Sequence, residues 1–313
     1  MELIDTEKYY KDCTLCPRMC HADRYSGQKG FCNMGSSLTA AKAYKHMWEE
    51  PCITGTEGSG TVFFSGCNMK CIYCQNSEIS HNGFGCVIDA ERLAGIFLEL
   101  QDKKASNINL VTGTCFIPHI RNAIIIAKNA GLYIPVIFNC GGYESVEALR
   151  LLEGLIDIYM PDVKYSSDDL SKDLSKAPDY FETAKKALGE MFRQTGPVRY
   201  DNNKMMKSGI LARHLILPGC CGDSKRILRY LHEAYGNDIC ISIMNQYTPM
   251  PAVKDHPLLK RKVSDDEYKR VLDFAEKIGI ENGFIQYGEA ASESFIPSWD
   301  LEGVKASPVP PCT

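Results

Sequence analysis

The sequence predicts an α/β fold of repeated βα units with parallel strands, preceded by a small cysteine-rich segment. Three observations lead there. Short apolar runs alternate with stretches of helical apolar spacing, six times over roughly 190 residues. Seven of the fifteen cysteines fall into two tight groups, at residues 13–32 and 67–74. The second group directly follows the apolar run Thr61-Val62-Phe63-Phe64. That puts it at the carboxyl end of a strand, where folds of this class bind their ligands.

Length and composition bound the answer. The 313 residues suggest one large domain or two small ones, and 44% apolar residues suffice for a sizeable core. A net charge of -4 and a pI near 6.0 give no global reason to expect nucleic acid or an anionic membrane as partner. No apolar stretch reaches the roughly 18 residues of a membrane span, and the start, MELIDTEKYYKD, is acidic and polar, unlike a signal peptide. So many cysteines argue for metal binding in a reducing compartment, hence the cytoplasm, over disulfides.

In chain order, residues 1–50 read as a cysteine-rich segment and a bridge, and 51–313 as the βα array with a final helix and tail. Cys13, Cys16, Cys20 and Cys32 stand among glycine and polar residues, a loop too poor in apolar side chains to hold itself together. Tetrahedral zinc is the leading expectation there, with His21 as a substitute ligand. An auxiliary iron–sulfur cluster and reduced cysteines without metal are the alternatives. Residues 41–56 read as a polar bridge.

After the strand at 61–64, helices are predicted at 90–100, 120–130, 144–153, 225–235 and 265–278, with Gly131 ending the second. Residues 168–192 read as helical, interrupted or restarted at Pro178. Strands are predicted at 108–111, 135–138, 156–160, 210–217 and 239–244, with a short apolar run at 284–287. Residues 307–313 read as a disordered or surface-draped end. Six units fall short of the eight of a closed barrel, so an open, partial barrel and a doubly wound sheet both fit.

The chemistry centres on Cys67, Cys71 and Cys74, separated by three and then two residues. Thiolates so close in sequence can converge on one iron–sulfur cluster, and a set of three leaves one iron free for another ligand. Of the other cysteines, Cys52, Cys86, Cys115, Cys140 and Cys240 read as small buried hydrophobes. Cys220-Cys221 follows a strand and so faces the mouth, as a packing pair or an extra ligand or relay. His46, His119 and His214 read as packing or surface residues, and Asn245-Gln246-Tyr247 as lining the substrate side.

The run CNMKCIYCQN after a strand resembles the cluster loop of the radical S-adenosylmethionine (SAM) superfamily. With CTLCPRMC, WEEPCITG, GSGTVFFSGC and RHLILPG, nearly the whole chain resembles relatives of pyruvate formate-lyase activating enzyme. The resemblance implies a partial (β/α)6 TIM-like barrel. It implies a [4Fe–4S] cluster on Cys67, Cys71 and Cys74, with SAM on the fourth iron. Reductive cleavage of SAM would give a 5′-deoxyadenosyl radical that abstracts a hydrogen atom.

Carried over residue by residue, Tyr73 lies along the adenine and Asn139 reaches the ribose. Asp162 and Lys164 hold ribose and carboxylate, and Arg213 resembles the family's carboxylate-binding arginine. Thr112-Gly113-Thr114 stands where the family often has a Gly-Gly-Glu run, and departs from it. The implied function is installation of a glycyl radical on a partner enzyme, with flavodoxin or ferredoxin as electron donor. Radical modification of another peptide or a small molecule is the first alternative. A non-enzymatic iron–sulfur electron-transfer protein, completed by a fourth cysteine, is the second.

Overall fold

The computed structural model describes residues 1–285 and 297–305. Its strands are β1 (Thr39–His46), β2 (Ser59–Phe64), β3 (Cys86–Val87), β4 (Ile108–Val111), β5 (Val136–Cys140), β6 (Ile158–Pro161), β7 (Arg199–Tyr200), β8 (Met206–Leu215), β9 (Cys240–Met244) and β10 (Gly283–Ile285). They join in one sheet in the order β10-β9-β8-β6-β5-β4-β2-β1-β3, with β7 paired to β8. From β2 to β10 every neighbour along this path is parallel. The strands follow one another in chain order without reversal, so no switch point of a doubly wound sheet arises. Among the described residues β3 and β10 remain unpaired edges, which makes the barrel open.

Alternation along the strands sorts side chains to two faces. Val62, Leu110, Phe138, Tyr159, Ile210 and Ile241 point outward into one core with Phe97, Ile124, Leu188 and Leu228 of the covering helices. Those helices include Ala90–Asp102, Ile117–Asn129, Tyr180–Thr195 and Cys221–Tyr235. The opposite face holds Ile137, Ile158, Met160 and Leu211, which pack with Cys52 and Ile53. The last two sit on the short helix Pro51–Thr54, which plugs the amino-terminal end of the barrel.

The break at Pro178 is borne out, with one helix ending at Ser175 and the next starting at Tyr180. The apolar run near 284 is a seventh parallel strand over Gly283–Ile285, while Gln286, Tyr287 and the tail at 307–313 lie outside the described residues. The polar bridge at 41–56 is a misreading. Residues Thr39–His46 form β1, antiparallel to β2. Its Lys42 is buried, and its ammonium pairs with Asp300 (2.8 Å) and Glu302 (3.0 Å). A buried lysine partnered from 258 residues away leaves no local apolar signature.

Two consequences are measurable. Ile53 is fully buried, so Ile53→Ala is expected to destabilise the protein by about 2–5 kcal/mol in urea unfolding. Glu144, in the loop after β5, is 1% exposed, and neither carboxylate oxygen makes a hydrogen bond. Burial pushes its carboxyl up to about 7, although Thr114 and Cys140 nearby pull it back. The folded chain therefore keeps a proton that the unfolded chain releases near pH 4.3, and stability falls as pH rises through that interval, by roughly 3 kcal/mol in all. Glu144→Gln is expected to flatten the melting-temperature profile between about pH 5 and pH 7.

Candidate active site

The carboxyl ends of the parallel strands frame a cavity of about 420 Å³. The loop carrying Cys67, Cys71 and Cys74 forms one wall, and all three cysteines line the space. The loop leaves β2 at Gly66, whose φ of +77° is left-handed. A Cβ there would lie 2.2 Å from Met34 Cγ and 2.9 Å from the Cys32 carbonyl, so the loop rests directly on the amino-terminal segment. Arg18 of that segment donates from Nε to the Asn68 carbonyl at 2.7 Å. On the other side, Lys70 and Ile72 donate their amides to Ser175 and Leu174 at the end of the helix Asp168–Ser175.

Each sulfur of the loop has a hydrogen-bonding neighbour. The Met69 amide donates to Cys67 Sγ (3.4 Å), Ser175 Oγ to Cys71 Sγ (2.9 Å), and Ser80 Oγ lies 3.2 Å from Cys74 Sγ. Burial pushes the Cys67 and Cys71 thiols above their ordinary range, so a positively charged centre is needed to make thiolates of them. Among the described residues, no three His, Cys, Asp or Glu side chains are closed around one metal-sized point. Three cysteines on one wall, each with a polar neighbour, are nonetheless the donor set an iron–sulfur cluster takes.

Facing this wall is a charged network. Arg213 on β8 donates from Nε to Asp162 Oδ1 (2.9 Å), from one Nη to Asn139 Oδ1 (2.8 Å) and from the other to Glu49 Oε2 (3.3 Å). Lys164 Nζ donates to Asp162 Oδ2 at 2.7 Å, and Asn109 Nδ2 to Glu49 Oε1 at 3.0 Å. Burial works against ionising Asp162, but Arg213 and Lys164 outweigh it and hold its carboxyl below the usual range. For Glu49 burial wins over Arg213 and its carboxyl is raised.

The expected residues fall unevenly around this space. Tyr73, Thr112, Asn139, Asp162, Lys164 and Arg213 all line it. Tyr73 is fixed by a 2.5 Å hydrogen bond between its hydroxyl and that of Tyr165. Thr112 turns into the cavity through a left-handed φ of 61°, uncommon for a β-branched residue. Gly113 and Thr114 do not line it: a Cβ on Gly113 would meet Ile120 at 2.5 Å, and Thr114 lies beside Glu144.

Of the run after β9, Gln246 and Tyr247 line the cavity and Asn245 does not. Cys220 and Cys221 stand away from it, Cys220 buried among packing residues and Cys221 donating to the Glu267 carbonyl. His119 and His214 bind the carbonyls of Ser36 and Val163, as packing residues. His46, read as packing or surface, instead lines the cavity, with Nδ1 on the Tyr44 hydroxyl. Cys140 lines it too, although it reads as an ordinary buried cysteine. Glu49 is the member that sequence reasoning missed, although it lies in WEEPCITG, one of the stretches that carry the resemblance.

Comparison with known proteins agrees with this geometry. Residues 61–205 match the model of the Radical SAM superfamily. An uncharacterised protein of Methanocaldococcus jannaschii is 28% identical over 283 residues, covering 87% of this chain and 76% of that protein. The FeFe-hydrogenase maturase HydG of Carboxydothermus hydrogenoformans has a similar fold, with a TM-score of 0.51 at 12% identity over 75% of this chain and 56% of the maturase. SuiB of Streptococcus suis, solved with S-adenosylmethionine, gives a TM-score of 0.49 at 12% identity over 71% of this chain and 48% of SuiB. The chain spans about half the length of these two solved structures. Residues 61–205, with the cysteine loop at their start, are thus similar to the radical SAM superfamily.

Proposed function

We propose that the protein is a radical SAM enzyme with a [4Fe–4S] cluster on Cys67, Cys71 and Cys74 and SAM in the adjoining cavity. One observation carries this reading: the three cysteines and the Asp162–Lys164–Arg213 network line the same space at the strand ends. When bound, the cluster and SAM supply reductive cleavage of a carbon–sulfur bond and a radical that takes a hydrogen atom from the substrate.

The chain's own residues bind, orient and shield. Tyr73, held by Tyr165, offers a ring wall for the adenine. Asn139 and Asp162 present acceptors to the ribose hydroxyls, and the Lys164 ammonium attracts the methionine carboxylate. Arg213 has three donors engaged by Asp162, Asn139 and Glu49, so it acts first by fixing these acceptors.

The substrate we propose is a glycine-bearing segment of a partner enzyme, on which a glycyl radical is installed. Among the described residues the barrel is open between β3 and β10, which suits an extended peptide better than a sealed pocket would. A flavodoxin or ferredoxin is the proposed reductant. A second reading has a specific support. Cys140 also lines the cavity, and as a fourth ligand it would close the cluster into an electron-transfer centre.

Anaerobic reconstitution, reduction and assay of 5′-deoxyadenosine from SAM separate the two. The wild type and Cys140→Ala are expected to cleave SAM, and Cys71→Ala to lose cleavage. Asp162→Asn is expected to weaken SAM binding about 10- to 100-fold, the loss of one charge-assisted hydrogen bond. An intact, reduced cluster that yields no 5′-deoxyadenosine would sink the radical reading.

A further inference from the structure

Outside the cavity, the densest collection of reactive side chains lies where the amino-terminal segment meets the loop after β4. At its centre is Arg24, only 2% exposed. Its Nε donates to the carbonyls of Met34 and Gly35, and one Nη to those of Gly35 (2.7 Å) and Cys115 (3.1 Å). The other Nη donates to Cys13 Sγ at 3.5 Å. The rings of Tyr10 and Phe116 cover the guanidinium. Among the described residues no carboxylate pairs with it. A buried cation without a carboxylate partner costs several kcal/mol, which an anionic centre at the Cys13 sulfur it touches would offset.

Two further sulfurs lie beside it. Cys20 Sγ and Cys32 Sγ converge on the bare Cα of Gly30, where a Cβ would meet them at 3.2 and 3.4 Å and Arg24 Cδ at 3.6 Å. Met19 and His21, with φ of 42° and 51°, fold the chain back at Cys20, and the His21 amide returns to the Cys13 carbonyl. The Met19 amide likewise returns to the Cys16 carbonyl. His21 turns its ring away to Asp12 Oδ1 at 2.7 Å and lies exposed, which removes it as a substitute ligand.

We propose that Cys13, Cys16, Cys20 and Cys32 are the thiolate ligands of an anionic metal centre, and that Arg24 is its buried counter-cation. Four thiolates leave two net negative charges around Zn²⁺ and likewise around an oxidised [4Fe–4S] core, so one guanidinium serves either. By donating to Cys13 Sγ, Arg24 also orients a ligand, the role that polar neighbours play at protein metal sites. This centre is independent of the radical chemistry, because its ligands lie outside the cavity.

The test isolates it. In the full chain carrying Cys67→Ala, Cys71→Ala and Cys74→Ala, metal analysis is expected to find about one zinc, or about four iron with matching sulfide. That metal should disappear when Cys13→Ser and Cys16→Ser are added. A folded, metal-free triple variant would overturn the site. For Arg24, chelator competition is expected to show at least about a tenfold loss of affinity in Arg24→Met and a smaller loss in Arg24→Lys. Equal retention in Arg24→Met would overturn its role.

Should Arg24→Met not fold, thiol titration of the triple variant decides both points. Chelator should expose four further reactive thiols as the metal leaves, and Arg24→Lys should give them up at lower chelator concentration than the parent. Thiols equally reactive with and without chelator would overturn the centre. An Arg24→Lys curve that coincides with the parent's would overturn the role of Arg24.

Discussion

The guanidinium of Arg213 is the knot on which the cavity depends. Its three engaged nitrogens reach Asp162 beyond β6, Asn139 on β5 and Glu49 before the barrel plug. These elements are far apart in sequence, and a rigid planar fork fixes their mutual geometry better than a flexible ammonium could. The arrangement also settles the charge. Glu49 and Asp162 face Arg213 and Lys164, so carboxylates can sit in a partly enclosed space without being abandoned there. A polar cavity opposite a wall of sulfur is what remains.

The amino-terminal segment serves that wall from behind. Met34 and the Cys32 carbonyl fill the space a side chain at Gly66 would need, and Arg18 grips the loop at Asn68 while its guanidinium stacks on Phe31 at 3.8 Å. The segment has little apolar core of its own, a small cluster around Tyr10, Cys13 and Leu15. A metal centre organised by Arg24 would give it the rigidity that this cluster alone does not. The two cysteine groups would then be structurally linked: one centre stiffens the seat on which the other loop rests.

Much of this was legible in the chain itself. The cysteine spacing after an apolar run located the wall, and alternating βα patterns gave an order of strands that the sheet follows. Asn139, Asp162 and Lys164 could be placed because each ends or follows a recognisable strand, and Tyr73 and Arg213 because the family resemblance implies them. What escaped was set by distant partners. Strand β1 carries a lysine that is tolerable only beside Asp300 and Glu302. Glu49 reads as a surface acid until Arg213 and Asn109 are brought to it. Gly113 and Thr114 share a loop with Thr112, yet the 3₁₀ turn there directs them to the core. No local pattern announces such turns.

The central claim is that the three-cysteine wall leaves one iron open to SAM, and electron paramagnetic resonance tests it most directly. Spectra of the anaerobically reconstituted, reduced protein should be recorded with and without SAM. The account predicts that SAM shifts the g-values of the reduced cluster, because it joins an iron that Cys67, Cys71 and Cys74 do not ligate. A cluster spectrum that saturating SAM leaves unchanged would contradict it.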